Sequence, residues 1–292
     1  MSNAEPPAVN PPIDPIEPAP RGSDSIRRAW IWPFPPVSSR VAEFVRRVAG
    51  WFAPLVAGWR WFPASILAGA APVLVSYFLR VPGHQIATAL VLFPLFLSGI
   101  RAARSMRALS IVAVAFVAHS AVVIVLSARD PAGIAPLLPG AEPFWRESRD
   151  WIETGVNVEY APSRWLPKHA LLLGAVVLLG YCSVGLTVLL RGLYEVDLMN
   201  YYVGRLVAES SEAATAVIYG WHIWSLLRGV GCALIMYEIS AVSLARLTHD
   251  DPAAGRCRFG RPLAGVGLLV LDGVLKFLLM DTVQARLQTN LL

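Results

Sequence analysis

Four ionisable residues stand inside the two hydrophobic segments of the last quarter of the chain, Arg228 and Glu238 in one and Asp272 and Lys276 in the other. An ionised side chain in hydrocarbon costs at least about 2.5–3.5 kcal/mol even on the lenient insertion scale, so such groups are paired, wetted or functional. Asp272 and Lys276 share a helical face at i, i+4. With the two segments antiparallel, Arg228 comes within reach of Asp272 and Glu238 within reach of Lys276. A neutral quartet of this kind offers two chemistries. It is a lock that fixes helix register, or an ion pathway in which Glu238 or Asp272 titrates. No substrate-binding motif accompanies the charges, which favours the lock.

A second set, Glu195, Asp197, Arg205 and His222, surrounds an amphipathic stretch and has the residue types for acid–base work at a membrane interface. Its spacing matches no catalytic signature. There is no H-E-x-x-H, no G-x-S-x-G, no Walker lysine and no G-x-G-x-x-G opening a helix. Cys182, Cys232 and Cys257 lack C-x-x-C spacing, so no zinc site or disulfide framework is expected. His119 lies midway along an apolar span, His169 and His222 open others, and His84 and His249 fall in short loops. His119 and His222 are expected at different depths, so His119 reads as a hydrogen-bonded bundle histidine rather than a haem ligand. Neither a metal nor a cofactor is predicted.

Hydrophobic residues are 55% and charged residues 15% of the 292, which places the chain among integral membrane proteins. The fold class predicted is an all-α bundle of about six transmembrane helices with two amphipathic interfacial helices and a disordered Pro-rich N-terminal tail. Ten prolines in residues 1–39 forbid a continuing helix there and make that tail. Residues 40–60 form a basic amphipathic helix, with Val41, Phe44, Val45, Val48, Phe52, Leu55 and Val56 opposite Arg40, Glu43 and Arg47.

Within 61–128 three spans are expected, at 62–79, 86–100 and 108–127. A Trp-rich loop over 129–168 follows, with a short interfacial helix around Glu142 to Glu153. Within 169–292 the spans are 169–190, 213–245 with a break near Gly220, and 262–280, and an amphipathic helix lies over 191–212. Gly265 and Gly267 on one span, with Gly229, Gly231 and Ala233 on another, provide smooth faces for close packing.

Arginines before the first span and at Arg101, Arg104 and Arg107 place both termini in the cytoplasm under the positive-inside rule. Arg246, Arg256, Arg258 and Arg261 conflict with that scheme, because a six-span count puts the 246–261 loop outside. The arginine surplus points to a bacterial inner membrane, and its position beside apolar spans argues against nucleic acid as a partner. The functional expectation is a non-enzymatic subunit or scaffold of a membrane complex, partnered by another membrane protein or a second copy. The alternatives are a small proton- or ion-coupled transporter using Glu238, Asp272, Arg228 and Lys276, and an interface enzyme acting on a lipid-linked substrate.

Overall fold

A computed structural model describes residues 39–102, 104–156, 162–248 and 260–291. The Pro-rich tail, Tyr160, His249, Arg256, Cys257 and Arg258 lie outside the described residues, as do the side chains of Trp165, Lys168 and His169. Every regular element among the described residues is helical. In chain order these are α1 (Ser39–Ala57), α2 (Trp61–Leu79), α3 (His84–Arg101), α4 (Ser105–Arg129), the single turn α5 (Pro131–Ile134) and α6 (Ala141–Thr154). They continue as α7 (Pro162–Cys182), α8 (Leu186–Glu209), α9 (Ala213–Gly220), α10 (Ile223–Thr248) and α11 (Gly260–Leu291).

Five of them, α2, α3, α4, α10 and α11, are long and apolar enough to cross a membrane. Their outward faces carry Leu67, Phe78, Val117, Leu263, Val270 and Leu278, all exposed, as a lipid-facing surface requires. A multi-pass membrane bundle accounts for both features.

The expected span over 169–190 is not one helix. Val184 and Gly185 both take positive φ, +55° and +94°, and end α7 before α8 begins. Glycine is needed at the second position for space as well, since a Cβ there would come 2.0 Å from Ser240 Oγ. The other long apolar stretch also divides, at Trp221–His222 between α9 and α10, next to the break expected at Gly220.

Two stretches expected at the interface pack on neighbouring helices. α1 buries Ala42, Val45, Ala49 and Val56 in a cluster with Leu95 and Phe96 of α3. Ser98 Oγ donates to the Ala49 carbonyl at 2.6 Å across that contact. The amphipathic stretch predicted over 191–212 belongs to α8, which packs against α3, α4, α6, α7 and α9. Its buried stripe is Leu189, Leu193, Asp197, Tyr201 and Gly204, spaced by three and four residues as one helical face must be.

Arg261 Nη2 donates to Ser105 Oγ at 2.8 Å, so the start of α11 lies at the same end of the bundle as the start of α4. That removes the conflict in arginine placement. Arg101, Arg104, Arg107 and Arg261 belong to one end. A six-span count separated them because it laid 191–212 on the surface, whereas α8 runs from Gly185, beside Ser240, to Glu209, which pairs with Arg149 of α6 at the other end. At the opposite end α6 folds over the bundle, burying Trp145, Trp151 and Ile152 in a cluster with Tyr201, Tyr202, Val123 and Leu287.

Candidate functional site

α10 and α11 lie against each other through Gly231 and Gly265, where a Cβ on either would meet the other's carbonyl oxygen at 2.8 Å. This approach brings the first charged pair together. Arg228 Nε and Nη2 donate to the two carboxylate oxygens of Asp272 at 2.8 and 3.0 Å, the pairing expected from depth. Glu238, whose side chain is 4% exposed, accepts from Arg261 Nη1 at 2.6 Å. Arg261 had been assigned to a loop by sequence; it is the second residue of α11. Lys276 is half-buried on the same helix.

Glu195, Asp197, Arg205 and His222 take separate environments. Glu195 is exposed and pairs with Arg191 one turn back. Arg205 donates to Glu142 at 3.1 Å and Glu209 at 2.8 Å, and its guanidinium lies 5.0 Å from the Trp145 ring centre. His222 stacks on Trp224 with ring centres 4.4 Å apart, and Trp151 and Tyr202 each lie 5.9 Å from it. Burial, and then the charge of Arg228, pushes the His222 imidazole down to about 3, so the ring is uncharged near neutrality.

Asp197 is at the centre of the bundle, 2% exposed. His84 Nε2 lies 2.9 Å from its Oδ2 and His119 Nε2 lies 2.6 Å from its Oδ1. Gln85 Nε2 donates to Oδ2 at 2.7 Å. Both imidazoles and the amide are buried. With the carboxylate ionised, each Nε2–H donates to it, which leaves Nδ1 as the other polar atom of each ring. Both Nδ1 atoms are buried without a hydrogen-bond partner, and so are Thr88 Oγ1, one turn along α3 from His84, and Asn200 Oδ1, one turn along α8 from Asp197. An ordered water or an ion is one partner that buried polar atoms of this kind take.

The helices explain how three distant residues meet. His119 belongs to the buried face of α4, in the series Ala108, Ile111, Ala115, His119, Val123 and Ser127. α2 presses onto that helix closely enough that a Cβ on Gly69 would meet the Ala115 carbonyl oxygen at 2.1 Å. Positive φ at Arg80 (+57°) and Gly83 (+107°) turns the chain sharply, so that α3 opens inside the bundle and not at its rim. Its first residues, His84 and Gln85, consequently face α4 and α8. The layer separates two apolar clusters: on α4 it lies between Ala115 and Val123, and on α8 between Leu189 and Tyr201.

The nitrogen and oxygen donors of His84, His119 and Asp197 all lie within 4.8 Å of one another. Three elements thus bring two imidazoles and one carboxylate to a common point. Sequence reasoning placed Asp197 in another site, His84 in a loop and His119 alone. The available signal was the i, i+4 run Leu189, Leu193, Asp197, Tyr201, which puts a carboxylate on an otherwise apolar face.

No protein-family model, no curated protein and no solved structure matches this chain.

Proposed function

We propose that the protein is a small ion-coupled transporter of the bacterial inner membrane, and that its working centre is the layer formed by His84, Gln85, His119 and Asp197. One observation carries this reading. A carboxylate is buried between two apolar clusters with imidazoles and an amide as its hydrogen-bond partners, none of which bears a fixed positive charge. A buried anion needs a positive charge beside it, and a cation entering the layer supplies one. The helix breaks at Val184–Gly185 and Trp221–His222 add support, because interrupted helices line the sites of many carriers.

The charged pairs of α10 and α11 act here as register locks. Arg228, Asp272 and Glu238 are met within the chain, so they do not call for a second membrane protein, and the subunit reading loses its main support. The separate surroundings of Glu195, Arg205 and His222 weigh against an interface enzyme. The arginine-rich end is assigned to the cytoplasm by the positive-inside rule, with α6 on the other face.

Purified protein in liposomes loaded with ion-sensitive dyes tests the reading with a panel of protons, alkali cations, alkaline-earth cations and first-row divalent ions. The expected result is flux of at least one cation about tenfold or more above protein-free vesicles, abolished by Asp197→Asn. Absence of flux for every cation, or undiminished flux in Asp197→Asn, overturns the proposal.

A further inference from the structure

We infer that the cation held at this layer is a divalent first-row transition-metal ion, bound by His84 Nε2, His119 Nε2 and the Asp197 carboxylate. The inference rests on the transport reading for the ion's role as cargo, while the site itself stands on geometry alone. Two imidazoles and one carboxylate form a donor set of intermediate hardness, suited to zinc, cobalt, iron or nickel. Magnesium and calcium favour oxygen shells of six or more ligands, which two nitrogens do not provide. Copper(I) favours sulfur, and no cysteine or methionine is among the ligands.

The spacing also fits. Metal–nitrogen and metal–oxygen bonds of about 2.0–2.2 Å put neighbouring donors of a tetrahedral site roughly 3.4 Å apart. The donors here already lie within 4.8 Å of one another, in side chains whose positions are fixed by packing on three helices. When the ion takes the two Nε2 lone pairs, each ring carries its proton on Nδ1, the atom that is buried and unpartnered in the layer. Thr88 Oγ1 and Asn200 Oδ1, one turn from His84 and Asp197, are also buried without a partner, and neither is bonded to an imidazole. Gln85 is a positioning residue, since its amide holds Oδ2 of Asp197 from the side.

Titration of the full-length protein in mild detergent with Co2+ tests the site directly. One Co2+ per chain is expected, with visible absorption of a low-coordinate nitrogen–oxygen complex, displaced by Zn2+ and unaffected by Mg2+. His84→Gln and Asp197→Asn remove the absorption. Gln85→Leu weakens binding by about 10- to 100-fold, as loss of an outer-shell partner does. His119→Cys guards against loss of fold in the other variants, because it keeps a ligand and adds a sulfur-to-cobalt charge-transfer band in the near ultraviolet. Failure to bind Co2+, or equal binding in His84→Gln and Asp197→Asn with no new band in His119→Cys, overturns the site. The two readings separate cleanly. Asp197-dependent flux of protons or alkali cations without Co2+ binding sinks the metal and leaves the transporter. Co2+ held by these residues with no flux of any cation sinks the transporter and leaves the metal site.

Discussion

Between α10 and α11 the Asp272 side chain, 11% exposed, receives both arms of a guanidinium, whereas between α3, α4 and α8 the Asp197 side chain, 2% exposed, receives two imidazoles and an amide. The first arrangement is complete in itself. Arg228 brings a permanent charge, a fork matching the carboxylate and a backbone contact through Gly231 and Gly265 that keeps the helices in register. The second is deeper and leaves both Nδ1 atoms without partners. Burial alone therefore does not fix the purpose of a carboxylate. At Asp272 the chain supplies the cation itself; on the transport reading proposed above, the position beside Asp197 is left to an incoming ion.

The contrast is broken most severely by replacing the whole layer. A triple variant, His84→Leu, His119→Leu and Asp197→Leu, is expected to lose all flux and all Co2+ binding yet to unfold at a higher temperature. Replacing a buried polar group set by apolar side chains is often stabilising by about 1–4 kcal/mol. A thermal scan in detergent showing a large loss of stability would make the layer a structural element like the α10–α11 pairs.

Next in size are the locks. Glu238→Gln leaves Arg261 beside a neutral amide and is expected to lower stability by about 2–3 kcal/mol, discounted for the partial exposure of the guanidinium, while flux per folded molecule stays within about twofold. For the other pair, exchanging the partners as Arg228→Asp with Asp272→Arg should recover about 1–2 kcal/mol relative to the sum of the single changes. Thermal unfolding of the four proteins of that cycle measures it. A coupling near zero would deny the pair its register role.

The effect that is smallest near neutrality, and grows only in acid, is a pH dependence that belongs to neither region. His222 is neutral in the fold, pushed down to about 3 by burial and by Arg228, whereas an unfolded histidine takes up a proton near 6.5. Below 6.5 the unfolded state binds more protons than the folded one, so stability falls as pH drops from about 6.5 towards about 3, by at most about 1.4 kcal/mol per unit, and is flat above. His222→Phe should flatten the acid limb of a plot of unfolding temperature against pH. An unchanged limb would place the titration elsewhere. Asp130 acts at lower pH: hydrogen bonds from Tyr77 and the Gly133 amide hold it below the usual carboxylate range, so its contribution is lost only as pH falls below about 3.9.

Much of the helical outline was legible because apolar length is a local property. Residues 62–79 and 108–127 were read within a few residues of α2 and α4, and the depth argument found Arg228 opposite Asp272. Residues 169–190 misled because two successive left-handed residues inside an apolar run leave no trace in hydropathy, and Val184 is not a residue expected there. The central layer was hidden for a different reason. His84 and Gln85 follow Pro82 and Gly83 and so read as a loop, and only the sharp turn through Arg80 and Gly83 shows that this loop descends into the bundle. Asp197 reads from the sequence as a member of the interface set with Glu195, Arg205 and His222. The four-residue spacing to Leu193 and Tyr201 was the counter-signal.

The bend at Val184–Gly185 fixes where α8 starts, and through it the heading of everything downstream. Asp197 is twelve positions after Gly185, about 18 Å along the axis, and each added residue would turn it by about 100°. One alanine inserted among residues 186–196 would thus swing the carboxylate out of the layer while leaving composition and hydropathy almost untouched. The same alanine added to α7 before the bend would be absorbed there. Tolerance to insertion along this stretch should consequently change sharply at the glycine.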